Sequence, residues 1–363
     1  MTPIRFQGRN AEFFTTLRNR INDYFTDNKI KPTGNWKLYW KTIIISTLLV
    51  VNYAALYLVP ADSFWIYVIY STLGLWFAGI GFNVMHDGAH GSYSTKPWIN
   101  KLMGNSLNLL GGNAFFWAEK HNVSHHSYTN IEGADEDIDI WPFLRVNPSK
   151  KKLWIHNFQH IYGLPLYTIT YLSWIYIQDF KKYFRGKVVD RPFKSKFSTW
   201  KHFEFWLSKL VYLGIFLFLP GLIFGFKVAL IGYACMAVFT GITITVVFQL
   251  AHVVDGITFV TDKIDSKEPL EAIIVQDDWA THQIKTTSNF STKSKFLTWA
   301  LGGLNFQVEH HLFPKISHVH YPKINEIVKS TCADFNVPYQ EIPSLFKAVR
   351  SHLHHLKVVG QLA

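Results

Sequence analysis

The stretch FWIYVIYSTLGLWFAGIGFNVMHDGAH, residues 64–90, joins two signals that decide the fold. Its first 22 residues contain no Asp, Glu, Lys or Arg, and most of them are apolar or aromatic. About 20 such residues suffice for a helix to cross the hydrocarbon core of a bilayer. The uncharged run ends at His86 and His90, whose spacing places two imidazoles on one face of a helix. This stretch therefore predicts a membrane span that ends on a pair of histidines.

Three further uncharged runs of similar strength occur, at residues 42–59, 210–226 and 228–251. The four runs form two hairpins with very short connections, and they predict membrane helices at about residues 38–59, 64–85, 206–226 and 228–250. Two weaker runs, residues 102–118 and 161–178, are interrupted by Asn, Gly or Pro, and we expect them to form interfacial or re-entrant helices. Residues 86–205 and 251–363 then form a helical segment outside the spans, here called the cap.

The distribution of positive charge orients this topology. The chain of 363 residues has a net charge of +11, and 34 of its 36 Lys and Arg residues lie before the first uncharged run or in the cap. Because Lys and Arg remain on the cytoplasmic side, we expect both termini and the whole cap to be cytoplasmic. Ahead of the first span, residues 13–25 have the apolar periodicity of an amphipathic helix.

Composition excludes several other classes of protein. The two cysteines, Cys235 and Cys332, are far apart, which argues against a disulfide framework, a cysteine zinc site or an iron–sulfur cluster. The first 35 residues are polar and charged, unlike a secretory signal peptide. Positive charge in a membrane protein points to anionic lipid and an acidic redox partner rather than to nucleic acid. No linker divides the chain, so we expect one domain over residues 1–363.

Seventeen histidines are present, and eight of them fall into a pattern typical of metal ligands. Besides the pair in residues 86–90, there are clusters in residues 121–126 and 307–311 and a single histidine after the last span. All of them lie on the cytoplasmic side of the predicted topology. Eight imidazoles exceed the four ligands of one zinc and suit two metal ions, although imidazole is compatible with zinc, copper, iron and nickel. The predicted ligands are His86, His90, His121, His125, His126, His252, His310 and His311.

Neighbouring polar residues are candidates to orient these ligands by accepting their second ring N–H. We expect this role for Asp87, Glu309, Asp135 and Asp137, and we consider His282 as a further candidate that is at least equally consistent with a structural role. Seven of the other histidines are assigned to structural or surface positions: His156, His160, His318 and His320, together with His352, His354 and His355, which we expect to form a solvated or headgroup-facing stripe.

The three clusters resemble the histidine boxes of membrane fatty acid desaturases. HDGAHGSYS, KHNVSHHSYTN and NFQVEHHLFP match the boxes HxxxH, HxxxHH and QxxHH, in order, and the resemblance covers about residues 36–322. It implies a di-iron centre that uses O2 to introduce a cis double bond into an acyl-lipid or acyl-CoA chain. It also implies that His252 binds iron and that Gln307 is a ligand, directly or through water. No catalytic residue beyond the metal ligands is implied.

Gln307 in place of the more usual histidine resembles the front-end subgroup, such as linoleoyl-CoA (Δ6-type) desaturases. An HPGG haem motif is not present in the sequence, so the resemblance is to members without a fused cytochrome b5. It implies a separate electron donor of ferredoxin or cytochrome b5 type, an acyl substrate carried on CoA, acyl carrier protein or phospholipid, and a bacterial inner membrane.

Three alternatives remain open from the residues. A di-iron lipid hydroxylase or ketolase shares the ligand pattern. A membrane metal transporter needs histidines along a path through the spans, whereas these collect on one side. A membrane zinc protease is disfavoured because HExxH is not present.

Overall fold

The computed structural model describes residues 3–8, 11–188, 191–193, 197–261 and 272–362. Over these residues the chain is predominantly helical, and its strands are only two or three residues long. The predicted all-α architecture is therefore confirmed. The parts of the predicted cap at residues 189–190, 194–196, 262–271 and 363 lie outside the described residues.

Within the described residues, four helices are long and apolar enough to cross a membrane. They are span 1, Trp36–Leu58; span 2, Trp65–His90; span 3, Thr199–Phe224; and span 4, Phe226–His252. Span 3 begins earlier than its uncharged run and includes Lys209, whose ammonium is neutralised inside the protein. It lies 2.8 Å from the Asp179 carboxylate and also donates to the carbonyls of Gly111 and Ile175. Span 2 is longer than predicted because the helix continues through the first histidine pair.

Spans 1, 2 and 3 are each built from shorter helical segments, span 4 is a single helix, and further helices lie outside the spans. The α-helices are α1 Ala11–Asp27, α2 Trp36–Ala55, α3 Trp65–Ile80, α4 His86–His90, α5 Pro97–Gly104, α6 Ser106–Leu109, α7 Ala114–Ala118, α8 His126–Tyr128, α9 Gln159–Tyr167, α10 Thr170–Ser173, α11 Asp179–Arg185, α12 Thr199–Leu213, α13 Leu219–Phe224, α14 Phe226–His252, α15 Trp279–Lys285, α16 Lys295–Ala300, α17 Gln307–Leu312, α18 Tyr321–Asp334 and α19 Leu345–Gln361. π-Helical segments occupy Gly81–Met85, Glu119–His125, Trp174–Gln178 and Gly214–Phe218, and 3₁₀ turns occupy Leu56–Leu58, Trp154–Phe158 and His318–His320.

Short strand pairs connect distant parts of the chain. β1 (Ile4–Phe6) pairs in parallel with β4 (Ile273–Val275), β2 (Lys187–Val188) pairs in antiparallel with β3 (Arg191–Pro192), and β5 (Asn289–Phe290) pairs in parallel with β6 (Glu341–Ile342). The β1–β4 pair attaches the N-terminal segment to the cap.

Spans 2 and 4 pack closely because a glycine lies at their contact. A Cβ added at Gly74 would lie 2.3 Å from the Met236 carbonyl oxygen, so only a glycine permits this approach. The hydroxyl of Thr240 donates to the Gly74 carbonyl at 3.2 Å across the same contact. Small residues and interhelical hydrogen bonds are the usual means of helix association in a bilayer, where burying apolar surface gains little. This contact fixes the two helices whose C-terminal ends carry histidines.

The two weaker uncharged runs do not form spans in the described chain. Residues 102–118 are divided among α5, α6 and α7, with a turn at Gly111, whose φ is +84°. Residues 161–178 are divided among α9, α10 and a π-helical segment. Their apolar side chains remain exposed on the protein surface: Ile161, Ile169, Ile177, Leu102 and Leu109 are each more than half exposed. Such helices fit the predicted interfacial position, where lipid covers the apolar face.

Helix α1 confirms the predicted amphipathic N-terminal helix. Phe13, Leu17, Ile21 and Phe25 follow one another at four-residue spacing, and all four are buried. They pack into a core that they share with residues of α15, α17 and α18. The first helix thereby covers the element that carries the third histidine cluster.

The C-terminal helix α19 corrects the expected solvated histidine stripe. His352 is buried, and its ring lies 2.8 Å from the Tyr167 hydroxyl and 2.6 Å from the Val253 carbonyl. His355 is also buried and contacts the Val146 carbonyl, whereas His354 is exposed and pairs with Asp255. Two of the three histidines thus face the protein, because α19 packs on α9 and on the end of span 4.

Candidate metal centre

The first histidine pair lies at the end of span 2. His86 and His90 occupy α4, directly after the π-helical turn Gly81–Met85, and their ring centroids are 4.7 Å apart. The glycine between them allows α5 to approach, because a Cβ at Gly88 would lie 2.5 Å from the Gly104 nitrogen. The amide of Asn122 donates to the Ala89 carbonyl at 2.9 Å and so ties this pair to the second cluster.

The second cluster lies in a π-helical segment, and this changes its geometry. In an α-helix His121 and His126 would point about 140° apart, since each residue turns by about 100°. Residues 119–125 are π-helical, and the i→i+5 hydrogen bonds of a π-helix bring residue i+5 closer to the face of residue i than an α-helix does. The Nε2 atoms of His121 and His126 are 3.2 Å apart. Ligand nitrogens on one ion lie about 3.0–3.4 Å apart for metal–nitrogen bonds near 2.1 Å.

The third cluster and His252 complete the arrangement. His310 and His311 lie on α17, and their rings are 4.5 Å from that of His86 and 4.8 Å from that of His252, respectively. His252 ends span 4, and its ring is also 4.7 Å from that of His125. The C-terminal ends of spans 2 and 4 therefore meet on the same side of the molecule, together with both cap clusters.

The ring nitrogens form two groups joined by a third. One atom from each member of a group lies within 4.8 Å of the others. The groups are His86, His90, His121 and His310; then His125, His252 and His311; and, between them, His126, His310 and His311. The structure thus brings all eight predicted histidines together, in groups that could each hold a metal ion.

Several of these nitrogens are buried without a hydrogen-bond partner among the described residues. A buried polar atom left unsatisfied costs about 1–3 kcal/mol, so the cluster is costly by itself. Bonds from metal ions to these lone pairs would remove that cost, and the donor set fits metal ions for this reason. The atoms are Nε2 of His90, His125, His252, His310 and His311, and Nδ1 of His126.

The pKa shifts of most of the clustered cap histidines favour neutral imidazole, the form that metal binding requires. Burial lowers the pKa of His121 to about 4 and also lowers the pKa of His126, His310 and His311. Burial also lowers the pKa of His125, but the Asp135 and Asp137 carboxylates outweigh this effect and raise its pKa overall.

Partners outside the cluster orient several rings. Asp135 lies 2.9 Å from Nδ1 of His125, and Asp137 lies 3.7 Å from Nδ1 of His121 while pairing with Lys120. Both carboxylates were anticipated from the sequence. With the proton on Nδ1, the Nε2 atoms of these rings face the cluster as acceptors.

Other orienting residues were not anticipated. Gln283 Oε1 lies 2.9 Å from Nδ1 of His311, the Thr286 carbonyl lies 3.2 Å from Nδ1 of His252, and the Tyr321 hydroxyl lies 3.2 Å from Nδ1 of His310. None of these residues belongs to a histidine cluster, and the first two lie far along the chain from their ring. No signal in a single sequence identifies them, because each acts through a tertiary contact.

Three candidate orienting residues contact other partners instead. Asp87 accepts from Ser317 at 2.6 Å and lies 3.0 Å from His318, and Glu309 accepts from Asn289 at 2.7 Å, with Asn325 and Tyr339 also in contact. His282 contacts the Thr129 carbonyl at 2.8 Å. Asp87 and Glu309 each neighbour a ligand in a helix, where one residue turns the side chain about 100° away from the ligand's face.

Gln307 lies beside the cluster. Its side chain is buried, and its amide donates to the Leu304 carbonyl at 2.9 Å. Together with His86, His121, His252 and His310 it lines a cavity of about 650 Å³.

This cavity extends from the histidines into the spans. It is also lined by Phe77, nine residues before His86, and by Thr240, twelve residues before His252. At 1.5 Å per residue these positions lie about 13 and 18 Å along spans 2 and 4 from the histidines. The deep lining is mostly apolar, and the ring of Trp117 stacks on His121 at 4.3 Å at the histidine end. The cavity can hold a long apolar chain against the candidate metal centre.

Four apolar spans, a histidine cluster and an adjoining cavity with a mostly apolar deep lining define an integral membrane protein with a candidate metal centre beside that cavity. The chain belongs to the fatty acid desaturase family, whose model matches residues 62–343. It is accordingly an oxidoreductase that desaturates fatty acyl chains.

Curated relatives cover nearly the whole chain. It is 36% identical to the acyl-lipid (8-3)-desaturase of Physcomitrium patens, over 97% of this chain and 72% of that protein. It is 33% identical to the sn-1 linoleoyl-lipid 6-desaturase of Synechocystis sp., over 96% of each chain. It is 30% identical to the acyl-lipid (8-3)-desaturase of Mortierella alpina, over 96% of this chain and 78% of that protein.

Proposed function

We propose that this protein is an O2-dependent acyl-lipid desaturase that inserts a cis double bond between an existing double bond and the carboxyl end. The observation that carries the proposal is a single cavity lined both by the clustered histidines and by apolar residues of the spans. The names of the relatives support the substrate class and the position, since they include linoleoyl-lipid 6-desaturases and acyl-lipid (8-3)-desaturases.

We propose two iron ions as the cofactor, held by the eight clustered histidines, with Gln307 as a further ligand directly or through water. The buried nitrogens without partners support a metal, and the family supports iron. When bound, the iron supplies the activation of O2 that permits removal of two hydrogens from an unactivated chain.

The protein's own residues orient the histidine rings, bind the acyl chain and exclude water from the centre. Asp135 and Gln283 hold the rings of His125 and His311 in orientations that present Nε2 to the centre. Phe248 lies 5.2 Å from the ring of His125 and 4.8 Å from that of His252, and it covers them with an apolar surface. A dry site of this kind protects a reactive oxidant from side reactions. The acyl chain has no polar group at the reacting carbon, so contacts along the rest of the substrate must set the position of that carbon.

The alternatives are weaker on this geometry. A metal transporter needs ligands along a path through the spans, whereas the clustered histidines lie at the ends of spans 2 and 4 and in the cap. A hydroxylase or ketolase differs only in the product and remains the second candidate. Acyl-CoA remains the alternative carrier of the acyl chain.

We further propose that residues 1–363 act as one domain in a bacterial inner membrane, with both termini and the centre on the cytoplasmic side. The charge distribution supports this orientation. A ferredoxin or cytochrome b5 type donor supplies the electrons, and the basic character of the chain favours an acidic partner.

Expression in a host with defined fatty acids, followed by mass spectrometry of double-bond positions, tests the function. We expect a new cis double bond on the carboxyl side of an existing one. His310→Ala should lose at least about 100-fold in activity and bind less iron, because it removes a nitrogen shared by two groups. His354→Ala, an exposed histidine of α19, is the control. A hydroxylated product, or full activity of His310→Ala, would contradict the proposal.

A further inference from the structure

One wall of the cavity carries charged side chains, in contrast to its mostly apolar deep lining. Lys182 of α11 is 4% exposed, lines the cavity, and lies 3.0 Å from the Glu136 carboxylate. Lys120 lines the same wall and pairs with Asp137. Taking an ammonium out of water costs several kcal/mol, which a single ion pair repays incompletely. We therefore expect the charged residues of this wall to have a function other than stabilising the fold.

The Lys182 ammonium has hydrogen-bond donors to spare. It carries three N–H groups, and Glu136 is its one carboxylate partner within 4 Å among the described residues. An ester or thioester carbonyl is the part of an acyl substrate that accepts hydrogen bonds and carries no proton of its own. Such a carbonyl therefore complements an ammonium that lines the cavity.

The charged wall lies close to the candidate metal centre. Lys120 precedes His121 in the chain, and the carboxylate that pairs with it lies 3.7 Å from that ring. The apolar end of the cavity lies about 13–18 Å away along the spans, as described above for Phe77 and Thr240. A substrate whose carbonyl contacts this wall therefore has few methylenes before the centre and many beyond it.

We propose that two lysines of this wall bind the acyl carbonyl: Lys182, which pairs with Glu136, and Lys120, which pairs with Asp137. This contact fixes the position of the new double bond relative to the carboxyl end. The proposal rests on the proposed function and names residues that set its regiospecificity. An anchor at the carbonyl keeps that position constant while the length of the methyl end varies in the deep part of the cavity. A membrane glycerolipid ester and a CoA thioester offer the same carbonyl chemistry.

The test compares purified, iron-loaded wild type with Lys182→Met, which keeps an apolar stem and removes the ammonium. Substrates are linoleoyl phosphatidylcholine in liposomes and, in a separate arm, linoleoyl-CoA, each with a reduced electron donor. Arg185→Met, an exposed residue of the same helix that does not line the cavity, is the matched control.

We expect Lys182→Met to raise KM by about tenfold or more, as for a lost hydrogen bond to a charged group. We also expect a second double-bond isomer, because the chain is free to slide. Wild type and Arg185→Met should give one isomer. The arm in which the effect appears identifies the carrier. An unchanged KM with a single isomer in both arms overturns the proposal.

A second variant covers the case in which Lys182→Met fails to fold. Lys182→Arg keeps the charge beside Glu136 and moves the hydrogen-bond donors outward. We therefore expect desaturation that yields a double-bond isomer that wild type does not form. A single wild-type isomer from Lys182→Arg overturns the anchor. The proposed function fails separately, if wild type itself forms no new double bond in either arm.

Discussion

At the scale of single residues, the main feature of the site is a set of buried imidazole nitrogens without hydrogen-bond partners. Each costs about 1–3 kcal/mol when unsatisfied, and the described cluster contains six. The second nitrogen of most of these rings is held by a carboxylate, amide, hydroxyl or carbonyl oxygen. The rings are thus fixed in orientation before an ion binds, which reduces the entropy lost on binding.

Gln283 provides a test of this arrangement. Gln283→Leu removes the acceptor that lies 2.9 Å from Nδ1 of His311 and keeps a similar volume. We expect activity and iron content to fall by about 10–100-fold, the usual effect of losing a partner that orients a metal ligand. Enzyme assay and metal analysis of purified protein measure both.

Gln340→Leu is the matched control, since that amide donates to the Asp255 carbonyl away from the cluster. Equal iron content and activity in wild type and Gln283→Leu would show that Gln283 does not support the centre.

At the scale of elements, the contact of spans 2 and 4 sets the distance between the histidines that end them. The contact depends on Gly74, where an added Cβ would lie 2.3 Å from a backbone oxygen. Gly79 lies in the same span, and its nearest contact for an added Cβ is 3.6 Å. Both glycines lie inside the same helix, but only Gly79 has space for a Cβ atom.

Gly74→Ala should therefore lower the thermal stability in detergent, and also activity, because the spans must separate. Gly79→Ala should leave stability unchanged or raise it by up to about 1 kcal/mol, since Ala is the better helix former. Melting temperatures of the two variants measure the difference. A Gly74→Ala protein as stable as Gly79→Ala would argue against close packing here.

Helix α19 provides a prediction on pH. Burial lowers the pKa of His352 to about 4, whereas the unfolded chain has a value near 6.5. Between these values the unfolded state binds the proton and the folded state does not, so stability falls as the pH is lowered through this window. The full difference corresponds to about 3 kcal/mol.

His352→Gln should therefore lose stability less steeply between pH 6.5 and 4 than wild type does. Unfolding measured at a series of pH values gives the slope, and His354→Gln on the exposed side of α19 is the control. Identical slopes for wild type and His352→Gln would contradict a buried, neutral His352.

At the scale of the whole molecule, both histidine-bearing span ends and the cap lie together, so the two hairpin connections lie on the opposite side. A labelling experiment tests this. Cys235 and Cys332 are first replaced by Ser, and Asp62→Cys or Lys347→Cys is then introduced. In intact cells a membrane-impermeant thiol reagent should label residue 62, in the first hairpin connection, but residue 347 of α19 only after lysis. Labelling of both positions in intact cells would contradict the topology.

Much of the site could be predicted because its signals are local. The spacing of His86 and His90 and the uncharged run before them are readable within one helix. The orientation of His126 could not be predicted, because the sequence does not reveal that residues 119–125 adopt a π-helix. Asp87 and Glu309 contact partners other than the clustered rings, because residues adjacent in sequence point to different faces of a helix.

By itself, the sequence determined the four spans, the set of histidines that cluster and the amphipathic first helix, because hydrophobic runs and helical spacing are properties of short segments. The tertiary structure alone decided which residues orient the rings, where the cavity runs, and that Lys182 and Lys120 line it. These features depend on contacts between residues far apart in the chain, such as Gln283 with His311 and Glu136 with Lys182. Such contacts arise only when packing brings separate helices together.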